Sequence, residues 1–148
     1  ENSPRRAVYR ELSLCPVVAA VAESDPIAAK PSVSAGELAQ VRRLAVSRPN
    51  AAPRQVISVQ NSLIAGRDPG DIIFCEGIEI QSAIVAAGFA AAILTDVPGI
   101  REPGVAYVPV EDTEAVSYGA AYMADELSPL LRRLMAILGE YANARGQN

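Results

Sequence analysis

The sequence predicts an α/β domain built around a mostly parallel sheet, and one stretch carries most of that prediction. From Glu76 to Pro98 it reads EGIEIQSAIVAAGFAAAILTDVP. Ile80, Ala83, Ile84 and Ala87 recur at helical spacing, which predicts an amphipathic helix with those residues on its inner face. Gly88 follows, and glycine takes a left-handed C-cap with no Cβ penalty. The run from Phe89 to Leu94 is apolar on both sides, as a strand covered on both faces must be. Helix, tight turn and doubly buried strand, in that order, is the pattern of parallel α/β sheets.

The other elements follow in turn. Val17 to Val21 is a β-branched apolar run and predicts a buried strand, closed by the turn Glu23-Ser24-Asp25-Pro26. Ser34-Ala35-Gly36-Glu37 is a capping box that opens a short helix to about Gln40. Leu44 to Ser47 predicts a second short strand, ended by Arg48-Pro49-Asn50. Between Pro53 and Gly66, the residues Val56, Ile57, Val59, Leu63 and Ile64 fit strand alternation in part and helix spacing in part. Pro53 in a first-turn position and Gly66 just past the last apolar residue favour a helix. Asp68-Pro69-Gly70 is a turn before a strand from Asp71 to Cys75. After Pro98-Gly99 and Pro103-Gly104 come strands at Val105–Val110 and Ser117–Met123. Ser128 as N-cap and Pro129 at the first helical position open a last helix, with Leu131, Leu134, Met135, Leu138 and Tyr141 on one face. The tail, 143–148, reads as a frayed end.

A chain of 148 residues can bury one good core or two small lobes sharing a hinge. Half the residues are hydrophobic, the composition of a close-packed globular protein. The 17 acidic residues outnumber 13 basic ones, and the densest basic sites are only the pairs Arg5-Arg6, Arg42-Arg43 and Arg132-Arg133. Isolated pairs are solvated surface, so direct DNA binding by these residues is not expected. Glu79 and Gln81 interrupt the longest apolar run, short of the ~18 residues that cross a bilayer. The start, ENSPRRAVYRELS, lacks a signal-peptide core, so the expected compartment is the cytoplasm.

The chain has no histidine, which excludes a Ser-His-Asp triad, His general acid–base chemistry and His-ligated metal. Lys30 is its only lysine and lies in a polar turn. No enzyme activity, metal or cofactor is expected. Cys15 and Cys75 are too few for a disulfide framework. Both adjoin apolar runs, which predicts buried structural thiols; the alternative is a redox switch.

Four segments resemble, in order, the effector-binding domain of LysR-type transcriptional regulators. CPVVAAVAESDPIA resembles the strand and turn that open the second subdomain. PSVSAGELAQVRRLAV resembles the next helix and strand, and EIQSAIVAAGFAAAILTDVP the family's helix-glycine-strand signature. VAYVPVEDTEAVSYGAAYM, with the last helix, resembles the return to the first subdomain. The wording is most similar to members that sense benzoate- and muconate-like acids. The resemblance implies a fold like the type 2 periplasmic binding proteins, with one complete lobe and the C-terminal remnant of another. Residues 1–15 would be a crossover, 16–103 the second lobe, and 104–148 the return strands and helix of the first. The winged helix-turn-helix, the linker helix and the first half of the effector domain have no counterpart, so the chain reads as a fragment of a longer protein. DNA would be contacted only through that missing helix-turn-helix domain.

The resemblance also supplies candidate ligand residues. Pro53, Arg54 and Gln55 open a cleft-facing helix, where free N–H groups and a guanidinium suit a carboxylate; an ordinary helix start with a solvated Arg fits equally. Glu76 and Gly77 match a second cleft position, where Glu76 could select a hydroxyl or amine, pair with Arg54, or simply favour a helix start. Tyr9 and Arg10, near the first crossover, are either hinge residues or exposed strand residues. Thr95 and Asp96 end the buried strand at the expected ligand edge, and capping explains them as well. The expected function is sensing of a small organic acid between two lobes. The alternatives are a periplasmic-type solute-binding domain or a small α/β hydrolase or transferase using Asp or Glu. Self-association through the apolar C-terminal third is also expected.

Overall fold

The computed structural model describes residues 7–97, 99–123 and 128–145, with side chains to residue 141 in the last segment. Pro98, Arg5, Arg6 and residues 146–148 of the tail lie outside the described residues. The strands are β1 (Ala7–Cys15), β2 (Val17–Ala22), β3 (Leu44–Ser47), β4 (Ile72–Cys75), β5 (Ala91–Thr95), β6 (Val105–Pro109) and β7 (Val116–Met123). The helices are α1 (Ala35–Leu38), α2 (Arg54–Ile64), α3 (Ile78–Ala86) and α4 (Pro129–Arg145). The chain forms two compact units, Cys15–Val116, and Glu1–Leu14 together with Ser117–Asn148.

The larger unit holds a five-stranded sheet in the order β4-β3-β5-β2-β6. β3 runs parallel to β4 and β5, whereas β2 runs antiparallel to both β5 and β6. The sheet is therefore mixed, where a mostly parallel one was expected. Four strands share a direction, but the reversed β2 makes half of the pairings antiparallel. A run of small apolar residues such as VVAAVA specifies burial on both faces and not direction, which is why the sequence did not reveal the reversal.

Alternate residues of each strand feed opposite faces. Val17, Ala19, Val21, Leu44, Val46, Ala91 and Ile93 pack with Leu38 of α1 and Val56 and Leu63 of α2. Val18, Ala20, Ala45, Ala92 and Leu94 pack with Val85 of α3 on the other side. The result is three layers, helix–sheet–helix. Within this unit β6 pairs with β2 along Val18–Ala22 and Val105–Pro109.

Most elements match the expected spans; the differences have local causes. Asp71 closes a 3-10 turn, and β4 starts one residue later. Phe89 is not in β5. Gly88 takes φ +69°, its N–H bonds the Val85 carbonyl at 2.8 Å, and Phe89 N–H bonds Ile84 at 3.1 Å. This double bond pattern ends α3 and consumes the Phe89 amide, so the ladder begins at Ala91. Phe89 is 55% exposed and lies under the Arg43 guanidinium, 4.4 Å from its ring centre.

The expected inner face of α3 is also corrected. Ile80, Ala83 and Ala87 face outward, and Gln81, Ser82 and Val85 are buried, with Ile84 half-buried beside them. A buried glutamine is tolerated because Gln81 Nε2 donates to the Ala45 carbonyl at 3.2 Å, and its Oε1 accepts from Ser47 Oγ at 3.4 Å.

In the smaller unit β1 pairs with β7. Gly119 is required there, since a Cβ would stand 2.2 Å from the Arg10 carbonyl oxygen. Ser128 Oγ accepts from Leu131 N–H at 3.2 Å and opens α4. α4 continues to Arg145, through the start of the segment expected to fray. Of its expected inner stripe, Met135 is buried and Leu131 and Leu138 are half-buried, but Leu134 and Tyr141 are exposed.

Candidate functional site

β3, β4 and β5 end on one edge of the large sheet, and ligands of open α/β sheets gather at such carboxyl ends. The residues after β3 lead to α2, those after β4 to α3, and those after β5 to Thr95 and Asp96. Pro53, Arg54, Gln55, Glu76, Gly77 and Asp96 therefore all lie along that edge. Tyr9 and Arg10 belong to the smaller unit, where the Tyr9 hydroxyl bonds Ser117 Oγ at 2.9 Å and Arg10 donates to the Met135 carbonyl at 3.4 Å.

The two helix starts differ electrostatically. Pro53 is the N-cap of α2, and no side chain caps the helix or places an acid in its first turn. The amides of Arg54, Gln55 and Val56 thus keep their hydrogen-bonding capacity at the positive end of an 11-residue helix. Gly77 is the N-cap of α3, whose first turn carries Glu79. The Glu79 carboxylate lies 2.8 Å from where a Gly77 Cβ would be, so this start already has its anion.

The loop after β6 folds over the start of α2. Val33 forms a parallel bridge with Val110, Glu111 N–H bonds the Val33 carbonyl at 3.0 Å, and Thr113 Oγ1 donates to the Val110 carbonyl at 2.8 Å. Asp112 turns the chain at φ +55°. Gln55 Nε2 then reaches the Ala115 carbonyl at 3.4 Å, and Arg54 meets Glu114 at 3.5 Å. Between helix and loop lies an open depression of about 500 Å³, lined by Arg54, Gln55, Ser58, Val59, Asp112, Thr113 and Glu114.

The pairing of Glu76 with Arg54 does not occur. Glu76 Oε1 accepts from Arg48 Nε at 2.6 Å, because Arg48 closes β3 beside the end of β4. Asp96 is neutralised by both arms of Arg101, at 3.1 and 2.5 Å, and this bonding raises the Arg101 pKa. Arg54 and Glu114, 84% and 79% exposed, form the loosest of these pairs. Such a contact is worth only about 0–1 kcal/mol, so the guanidinium is readily exchanged to another carboxylate. Glu114, Thr113 and Asp112 were legible in sequence only as a turn. Their approach to α2 depends on the β2–β6 pairing, which leaves no local signal.

A second depression, about 350 Å³, opens at the opposite edge beside Arg42, Arg43 and Phe89. Its Arg43 is committed to Phe89 and to Asp71 at 3.7 Å. Among the described residues no group of His, Cys, Asp and Glu could hold a metal ion, and no helix is long and apolar enough to cross a membrane.

Fold and edge together define a three-layer α/β domain with a mixed sheet. Residues 1–143 match the family described as the LysR substrate binding domain, and the chain belongs to that family. It is the effector-binding regulatory domain of a LysR-type regulator, in a family of regulators and not of enzymes. Among curated protein sequences, none matches this chain.

Solved structures agree in fold. The putative LysR family transcriptional regulator PA01 from Pseudomonas aeruginosa has a TM-score of 0.69 at 19% identity, over 95% of this chain and 50% of its own. The BenM effector-binding domain, solved with its effector benzoate, gives 0.62 at 18% identity over 100% of this chain and 68% of its own. The effector-binding domain of QuiR, in complex with shikimate, gives 0.63 at 18% identity over 97% and 68%. The chain spans about half the length of the full regulators it matches, at 50% and 51%.

Proposed function

We propose that the domain senses a small organic carboxylate at the start of α2, with Arg54 as its counter-ion. The observation that carries this reading is the bare N-terminus of α2 beside an exposed guanidinium that, among the described residues, is held by Glu114. The acid would replace Glu114 on Arg54, accept hydrogen bonds from the amides of Arg54, Gln55 and Val56, and rest against Ser58 and Thr113. Asp96 and Glu76, each neutralised by its own arginine, would shape the edge without repelling the anion. The relatives' ligands, benzoate and shikimate, are carboxylic acids, which supports the class, and benzoate- and muconate-like acids are the first to try.

In this reading the Cys15–Val116 unit is one complete lobe of the family's two-lobe cleft. Ligand binding would favour one lobe orientation and so bias the parent regulator on DNA, which it contacts through a separate helix-turn-helix domain. The chain is also expected to self-associate.

An NMR titration with benzoate and with muconate tests the site. Millimolar binding, about 4 kcal/mol, is what one charge-assisted contact leaves after association costs. The shifts should centre on Arg54, Gln55 and Val56. Arg54→Ala should weaken binding about tenfold, the equivalent of roughly 1.4 kcal/mol. Glu114→Gln should strengthen it by removing the competing carboxylate, and Arg132→Ala, on α4, should leave it unchanged. Shifts indifferent to Arg54→Ala would overturn the assignment.

A further inference from the structure

The large sheet parts at its carboxyl edge. β3 and β5 run parallel, pairing Leu44 with Ala91 and Ala45 with Ala92, and their ladder ends there, whereas β3 stays paired with β4 along its whole length. At the parting, two glutamines, one from each helical layer, supply donors to the strands. Gln60 of α2 gives its Nε2 to the Ile93 carbonyl of β5 at 3.3 Å, and Gln81 of α3 gives its own to the Ala45 carbonyl of β3 at 3.2 Å. Both glutamines are 2% exposed.

Each glutamine has a hydroxyl on its own side of the sheet. Ala45 belongs to the α3 face, so Ser47, two residues on, does too; Ile93 belongs to the α2 face, and so does Thr95. On the α3 side the set closes on itself, because Ser47 Oγ donates to Gln81 Oε1 at 3.4 Å. On the α2 side it stays open. Gln60 Oε1 and Thr95 Oγ1 are both shut off from solvent, and among the described residues neither has a hydrogen-bond partner. Turning the Gln60 amide over gives no relief, since its oxygen would then face the Ile93 carbonyl. Each such atom left unpaired costs about a factor of ten in the folding equilibrium.

We propose that one water molecule is bound between α2 and β5, donating to Gln60 Oε1 and sharing a second hydrogen bond with Thr95 Oγ1. A carbonyl oxygen and a hydroxyl together call for a small group that both donates and accepts, and buried waters take up orphaned groups of this kind. The spacing suits a single molecule. Two residues along a strand span about 6.6 Å, and a water bridging two oxygens spans up to about 5.6 Å. The water does for Gln60 what Ser47 does for Gln81, and it ties α2 to the end of β5.

Water-selective nuclear Overhauser spectra of the full chain test this. The Gln60 side-chain amide should show a cross-peak to water with the sign of a long-lived bound molecule, and a rotating-frame peak of opposite sign separates binding from chemical exchange. The peak should persist in Thr95→Ser, which keeps the hydroxyl, and vanish in Thr95→Val, which fills the same volume without it. Thr95→Val should also speed hydrogen exchange of the α2 backbone amides around Gln60 about tenfold, because Gln60 Oε1 is then stranded. The parent spectrum decides the matter even if Thr95→Val does not fold. No water peak at Gln60 in the parent chain, a peak or an exchange rate unchanged by Thr95→Val, or a protected Thr95 hydroxyl proton in contact with Gln60 and not with water, as a direct bond would give, would each overturn the proposal.

Discussion

Arg67 shows how one side chain can replace a network. Its guanidinium donates to the carbonyls of Leu63, Val41, Arg42 and Ala39, at 3.2, 2.5, 3.0 and 3.1 Å, and so ties the end of α2 to the loop before β3. Among the described residues no carboxylate takes part, so pairing of opposite charges in sequence could not have identified it. Replacing Arg67 by Ala leaves four acceptors to water and should lower stability by about 1–3 kcal/mol in a urea titration. Gly119→Ala should do more to one region than to the whole. Its Cβ would meet backbone, the Arg10 carbonyl, which cannot rotate away. Hydrogen exchange should show loss of protection along β1 and β7 only. The thiols were legible from their apolar neighbours: Cys15 and Cys75 are 1% and 3% exposed, and burial raises the Cys75 pKa. Both should label slowly with a thiol reagent until the protein unfolds; rapid native labelling would revive the redox reading.

Among elements, those specified by neighbours in sequence were legible and those specified across the sheet were not. The capping box of α1 formed as its four residues require, with Glu37 Oε2 accepting from Ser34 N–H at 2.9 Å. Glu37 also bonds Lys30, and chiefly for that reason its pKa falls to about 2. A folded-state pKa below the ordinary carboxylate value means that the stabilisation is complete above about pH 4.5 and disappears as pH falls toward 2. Glu37→Gln should therefore lower the melting temperature at neutral pH, where the stabilisation is present, and flatten the profile between about pH 4.5 and 2. Gly88 was equally legible as a cap. At φ +69° with open space around it, Gly88→Ala should cost about 1 kcal/mol through backbone strain alone. The inner face of α3 was not legible. Its glutamine is buried because Ala45 and Ser47 of β3 satisfy it, and periodicity reads polarity without seeing partners.

At the scale of the whole molecule, both hydrophobic clusters lie within Cys15–Val116. That segment, produced alone, should unfold as one cooperative transition by circular dichroism; a gradual melt would show that residues 1–14 and 117–148 are needed for its core. The three-layer class was legible because doubly buried strands and one-sided helices alternate along the chain. The edge carrying Arg54, Glu76 and Asp96 was legible by resemblance, since chemistry at strand ends follows topology. Which arginine takes which carboxylate was not, because each pair joins loops that only the finished sheet brings together.

The reversed strand β2 also bears on how the protein is made. It is the first strand of the larger unit, yet it sits between β5 and β6, among the last of that unit to be translated. At ribosomal speed the roughly 70 residues from β2 to β5 take about 4 to 14 seconds. Throughout that wait the sequence VVAAVA, with five of six residues buried in the finished sheet, has no partner strand. The strand at the heart of the core is thus, while the chain is being synthesised, the segment most in need of a chaperone.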